Sequence, residues 1–233
     1  MSGRGPGGMR DFAESRSRIY RLLALVFAEE PKGATLRQLR SADTRQNLAA
    51  AGLEFGPAFL DVPEEKLAED LAVEFTRLFL GPGRHLVPNE SVQRGEGRFW
   101  GDHTVAVADF YARFGYQVDE KKNVFPDHLS VEFEFMSHLA AEEARRWDKA
   151  DESGALAIQA AQGDFLRGHL LAWALGFCAD VAAAAMEPYF VRFAEMARSV
   201  LESDSTQLGR ETQAPGENGV PKERSPGPAP EGG

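Results

Sequence analysis

FPDHLSVEFEFMSHLAAEEARRW, residues 125–147, is the stretch that decides the fold. At about 100° per residue, Leu129, Phe133, Met136 and Ala140 share one face of a helix, and Val131, Phe135 and Leu139 share a second. The two faces merge into an apolar arc of roughly 200°, wide enough to require packing on more than one side. His128 and Glu132, one turn apart, lie inside that arc. Ser130, Glu134, Ser137, His138 and Ala141 take the opposite arc, where solvent is expected. Asp127 follows Pro126 and precedes the periodic run, the place of an N-cap whose carboxylate accepts from free backbone amides. The sequence thus predicts a polar knot of Asp127, His128 and Glu132 at one end of a largely buried helix.

Upstream, Phe12, Ile19, Leu22, Leu23, Val26 and Phe27 recur at helical spacing and predict a first helix over 11–29, ended by Pro31 and Gly33. Leu36, Leu39 and Leu48 predict a thinner second helix closed by Gly52. Pro63 opens a third, carrying Leu67, Leu71, Phe75, Leu78 and Phe79, and Gly81-Pro82-Gly83 stops it. The next eighteen or so residues, GPGRHLVPNESVQRGEGR, have no periodicity, and a loop that long inside a compact domain is more often functional than merely connecting. Helical spacing returns over 99–115, with Trp100, Val107, Phe110, Tyr111 and Phe114 as the apolar face. Beyond the opening helix, a softer region over 154–163 leads to an apolar helix over 165–185, and Pro188 starts a last one running to about 203. Residues 1–9 and 209–233 are rich in Gly, Pro and charge and are expected to be disordered. Alternating patterns fail wherever helical ones succeed, so the fold class is all-α: one helical bundle over 10–208.

With 233 residues and 43% apolar composition, the chain can bury a substantial core. A formal net charge of −10 argues against nucleic-acid binding, which needs a basic face, and favours a cationic partner. The single cysteine, Cys178, sits in an apolar run and reads as a buried thiol, with no disulfide and no multi-thiolate metal site. The N-terminal residues lack the apolar core of a signal peptide, and no run has the 18 or so uncharged apolar residues of a membrane span. A soluble cytoplasmic protein is the expectation.

Three readings compete for the polar knot. His128 and Glu132 at i and i+4 can supply two metal ligands, with Asp102, His103 or Glu90 completing the shell, although no H-E-x-x-H or cysteine cluster accompanies them. That arrangement would make the chain a small metal-dependent hydrolase using Asp127, His128 and Glu132. Alternatively, Glu132 simply holds a buried His128. Or Asp127 and His128 face a ligand in a groove, with Glu132 as the inward support. Gly81-Pro82-Gly83 lacks the preceding strand and following Gly-Lys of a phosphate loop. Ser91 lies in no nucleophile elbow. Trp100, Trp147 and Trp173 fall on apolar helix faces as core residues, one of which could line a groove.

Several segments together resemble the TorD/DmsD family of redox-enzyme maturation chaperones, which includes NarJ-like proteins. The residues concerned are FTRLFLGPG at 75–83, Pro88-Asn89-Glu90-Ser91, FWGDHTVAVADFYARFG at 99–115, Pro126-Asp127-His128 with Glu132, Phe135 and Met136, and FLRGHLLAW at 165–173. The likeness spans about 67–196. It implies a TorD-like all-helical fold without enzymatic activity or a cofactor of its own. It further implies a cytoplasmic chaperone that binds the twin-arginine signal peptide and apo form of a molybdopterin-containing oxidoreductase until cofactor insertion, before export. Carried over residue by residue, the signal-peptide site comprises Asp127, His128, Pro88, Glu90 and Ser91, with Glu132 and Trp100 in support. Two departures stand out: Asn89 replaces the family's tyrosine, which removes an aromatic contact, and Leu175 replaces a proline, which predicts a straighter helix after Trp173. A monomer or a segment-exchanged dimer is compatible with this fold.

Overall fold

The computed structural model describes residues 5–83, 85–119 and 123–211. Eleven α-helices follow one another in this part of the chain: α1 (Pro6–Ala28), α2 (Gly33–Arg40), α3 (Ala42–Ala50), α4 (Pro57–Leu60), α5 (Glu64–Phe75), α6 (Glu90–Gln93), α7 (Asp102–Arg113), α8 (Leu129–Asp148), α9 (Glu152–Phe165), α10 (Leu171–Ala184) and α11 (Pro188–Glu211). Two π-helical turns, Thr76–Leu80 and Leu166–Leu170, extend α5 and join α9 to α10. Among the described residues the one β feature is an isolated antiparallel bridge between Asn89 and His128. The all-α fold is as the sequence predicts.

α8 is the axis of the molecule. Both of its apolar faces are buried, with Leu129, Val131, Phe133, Phe135, Met136 and Ala140 fully enclosed. Phe133 meets Tyr20 and Phe27 of α1 at ring distances of 5.9 and 6.1 Å. Phe135 faces the other way, onto Tyr111 of α7 at 4.5 Å and Phe165 of α9 at 4.9 Å. Aromatic pairs in this range add about 1 kcal/mol each beyond their area burial, so α8 is held from two sides as its double stripe requires. Ser130 and Ser137, placed by period on the solvent arc, are buried instead. The Ser137 hydroxyl donates to the Ser17 carbonyl at 2.9 Å and Ser17 returns a bond to the Ser137 carbonyl at 2.9 Å, which lets α1 and α8 approach closely through small residues.

A buried polar network crosses the same layer. Arg16 donates to Asp204 at 2.9 Å, to Glu143 at 3.1 Å and to the Gln162 side-chain oxygen at 2.7 Å, so one guanidinium ties α1 to α8, α9 and α11. Gln159 and Trp147 complete the shell of Glu143.

Element boundaries differ from expectation at several points. α1 begins at Pro6, with proline at its first position, rather than near residue 11. The thin second helix is two, because Ser41 ends α2 and its hydroxyl accepts from the Thr44 amide to start α3. α11 continues past residue 203 to Glu211; residues 212–233 of the expected tail and residues 1–4 lie outside the described part. α10 runs unbroken through Leu175. The helical stretch Glu152–Ala184 is long and apolar enough by composition to cross a membrane, against the expectation of no such run, yet half of its most apolar window is buried in the bundle.

Candidate functional site

The long loop folds back on the start of α8. The Glu90 amide donates to the Asp127 carbonyl at 2.9 Å and the Leu129 amide to the Pro88 carbonyl at 2.8 Å, the two bonds that flank the isolated bridge between Asn89 and His128. Asp127 is completely buried, and its carboxylate accepts from the Ser91 amide at 3.0 Å, the Ser91 hydroxyl at 2.6 Å and the Asn89 side-chain amide at 3.3 Å. Asp127 therefore caps the one-turn helix α6 from across the fold, not its own helix. The N-cap of α8 is His128, whose Nδ1 accepts from the Ser130 amide at 3.2 Å and lies 2.8 Å from the Ser130 hydroxyl. Burial lowers the His128 ring to about 4, only partly offset by the Asp127 charge, so the imidazole is neutral at physiological pH.

Glu90 points inward from α6 and is fully buried. One carboxylate oxygen accepts from Arg94 Nη1 at 2.6 Å and the other lies 2.9 Å from His169 Nδ1. His169 stands on the π-helical turn Leu166–Leu170, stacked on Phe165 at 4.8 Å. The same turn offers the Gly168 carbonyl to Arg94 at 3.3 Å. π-helical turns recur at functional positions because the extra residue redirects side chains and carbonyls.

Behind Glu90 and Asp127 sits Glu132, fully buried, with neither carboxyl oxygen in a hydrogen bond of normal geometry. The Trp173 indole N–H, itself without any other partner, faces the Glu132 carboxyl closely enough to favour its charged form. Burial, reinforced by the nearby Glu90 and Asp127 charges, holds the Glu132 carboxyl protonated well above the usual range. Glu132 does not hold His128, contrary to the sequence reading.

Trp100 departs most from expectation. It precedes α7 in a left-handed backbone conformation, φ 62°, and is 60% exposed rather than packed in the core. Its ring lies 5.9 Å from Phe125, which stacks on Phe99 at 5.1 Å, and all three rings are exposed. Phe125 is joined to the site through its carbonyl, which accepts from the His128 amide at 3.1 Å. An aromatic residue held at positive φ is uncommon, since a Cβ strains that conformation. Trp147 and Trp173 are buried as predicted.

Of the residues singled out in the sequence, Pro88, Glu90, Ser91, Asp127, His128 and Glu132 do converge, and Trp100 borders them through Phe125. Pro88, Glu90, Ser91, Asp127 and Glu132 are buried, so the surface of the site is made by the three rings and the edge of His128. The metal reading finds no ligand set: among the described residues no group of three or more His, Cys, Asp or Glu side chains is arranged around an ion. His103 pairs with Glu96 instead of completing a shell. The sequence reading gave no site role to Asn89, His169, Arg94, Phe99 or Phe125, although Asn89, Phe99 and His169 lie in the segments that carry the resemblance. The spacing of Glu90 and Arg94, four apart, was the one available signal.

Residues 45–179 match the family model described as nitrate reductase delta subunit. The chaperone protein TorD of Vibrio cholerae is 29% identical over 70% of this chain and 78% of its own length. The perchlorate reductase assembly chaperone protein of Dechloromonas aromatica is 33% identical over 42% of this chain and 43% of its own, and the selenate reductase assembly chaperone protein of Thauera selenatis 34% identical over 43% and 53%. A crystal structure of a redox enzyme maturation protein from Archaeoglobus fulgidus covers 80% of this chain and 93% of its own, with 22% identity and a TM-score of 0.49.

Proposed function

This chain belongs to the nitrate reductase delta subunit family, and from that premise we propose that it is a chaperone for the assembly of a molybdopterin-containing reductase. On this reading it acts in the cytoplasm, without catalysis. It binds the twin-arginine signal peptide and apo form of its client and retains them until the cofactor is in place. The named relatives, chaperones and assembly chaperones of reductases, support the general role.

The observation that carries the peptide-binding part is the exposed cluster Phe99–Trp100–Phe125 beside His128, on a protein with net charge −10. A twin-arginine leader is a pair of guanidinium groups followed by an apolar segment. Exposed stacked aromatics offer contact area to the apolar segment at small entropic cost, and the acidic charge of the chain, net −10, draws the arginines to it. Neutral His128 adds one ring nitrogen at the edge of the patch without repelling a cation.

The test is calorimetric titration of the full chain with a synthetic peptide carrying two adjacent arginines and an apolar segment, beside the same peptide with both arginines replaced by alanine. Binding of the first in the micromolar range or tighter, weakened at least tenfold in the second, is the expected result. Equal binding of both, or of neither, would overturn the signal-peptide reading.

A further inference from the structure

We propose that Glu132 and Glu90 form a guanidinium site that the protein's own Arg94 plugs, and that an arginine of the client takes Arg94's place. This rests on the peptide-binding reading above and identifies where the arginine recognised by it goes.

Asp127, the obvious acidic candidate, is already committed. Both of its oxygens are occupied by Ser91 and Asn89 within the fold, and its side chain has no path to solvent. Glu132 is the opposite case: fully buried, with both oxygens unpartnered, and close enough to Glu90 and Asp127 for their charges to act on it. An unpartnered polar side chain at that depth carries a desolvation penalty that no bond offsets, and such groups are few in folded proteins. The Trp173 indole N–H beside it has no other partner and already faces the same carboxyl without reaching normal hydrogen-bond geometry. Glu132 is thus a potential acceptor for a cation, and Trp173 a donor whose bond to the carboxylate tightens once the cation has ionised it.

Arg94 supplies the covering element. Its side chain is 32% exposed while that of Glu90 is fully buried, so the guanidinium reaches in from solvent and its head closes over the carboxylate. It does so through Nη1 alone, which contacts both Glu90 and the Gly168 carbonyl, in place of the forked two-nitrogen geometry that makes arginine–carboxylate pairs strong. It is also mounted on the end of α6, a helix of four residues. A part-exposed, single-nitrogen pair on a short element is a contact that a second guanidinium can displace. A lysine ammonium is a poorer fit, because it is more strongly hydrated and costs more to bury, while the guanidinium brings five donors in a fixed plane.

The test compares wild type, Arg94→Gln and the double variant Arg94→Gln/Glu132→Gln as full chains, with folding checked by circular dichroism. If the plug is closed about nine-tenths of the time, its removal tightens binding of the Arg-Arg peptide about tenfold. That gain should vanish in the double variant and in a Lys-Lys peptide. Unchanged or weaker binding by Arg94→Gln, or a gain that survives Glu132→Gln, overturns the plug. A second arm titrates L-arginine amide while following the Trp173 indole N–H by NMR, its signal assigned with Trp173→Phe. A saturable shift in Arg94→Gln, absent in the double variant and with L-lysine amide, supports the site even if no peptide binds. No such shift, or an equal one with lysine amide, overturns it. Failure of the peptide alone, with the indole shift intact, overturns the signal-peptide reading and leaves the guanidinium site.

Discussion

The Asp127 carboxylate lies 3.0 Å from the Ser91 amide and 2.6 Å from the Ser91 hydroxyl, 36 residues away in sequence, and this contact holds the long loop against the start of α8. Removing the carboxylate strands a buried amide and a buried hydroxyl, and frees α6 to leave. Asp127→Ala should therefore lower stability by about 3 kcal/mol in urea denaturation, and Asp127→Asn by roughly half of that, since one acceptor remains. Peptide binding should fall in parallel, because His128 and Phe125 adjoin the same junction. A coupling free energy near zero in the Asp127→Ala/Ser91→Ala cycle would show that the contact does not carry this role.

Arg16 neutralises two buried carboxylates at once, Glu143 and Asp204, in a layer where its own side chain is 5% exposed. Arg16→Met keeps much of the volume but leaves both acids without their cation. The expected loss is about 3–5 kcal/mol, appearing as a large drop in thermal midpoint. The triple variant Arg16→Met/Glu143→Gln/Asp204→Asn should recover most of it, because the buried charge is then gone. A single variant as stable as wild type would mean that water reaches this layer.

The contrast between α8 and the loop shows what the sequence could and could not disclose. Phe133 and Phe135 lie on opposite flanks of one helix, and their spacing alone foretells partners on two sides; α1 on one flank and α7 with α9 on the other supply them. Asp127 precedes a helix and looks like its cap, but a carboxylate caps whichever free amides are nearest in space, and those belong to α6. Trp100 matches the helical period of the residues after it, yet α7 begins at Asp102 and the positive φ at Trp100 turns the ring outward, a backbone event that periodicity does not encode. The partnership of Glu90 with His169 depends on a π-helical turn, which changes hydrogen-bond partners without altering the hydrophobic pattern. That Pro88, Glu90, Ser91, Asp127, His128 and Glu132 would come together was legible; which of them face solvent was not.

Glu132 gives the fold a pH dependence of definite sign. In the folded chain its carboxyl keeps a proton above the ordinary value of 4.5, where the unfolded chain has released it. Unfolding then sheds a proton, so rising pH favours the unfolded chain, and this penalty grows until the buried carboxyl itself ionises. Glu132→Gln removes the effect while keeping size and polarity. The stability of Glu132→Gln relative to wild type should rise as the pH is raised above the ordinary carboxyl value of 4.5, read as the difference of urea midpoints. A difference that stays flat as the pH rises would mean that Glu132 is ionised in the fold.

Trp100 separates binding from stability more cleanly than any buried member of the site. Its ring is 60% exposed and touches Phe125, so Trp100→Ala removes little core packing. It also substitutes a residue no better suited to positive φ, so the backbone cost is unchanged to first order. Stability should stay within about 0.5 kcal/mol of wild type, the range of ordinary surface changes. Binding of the Arg-Arg peptide should weaken about tenfold, as for an aromatic anchor in an interface. Salt provides the cross-check: the guanidinium contribution is screened at high ionic strength and the apolar one is not. The Trp100→Ala defect should thus persist at about 0.5 M salt, while the advantage of Arg-Arg over Ala-Ala peptide shrinks. A Trp100→Ala protein that binds the peptide as wild type does at both salt concentrations would remove the aromatic cluster from the site.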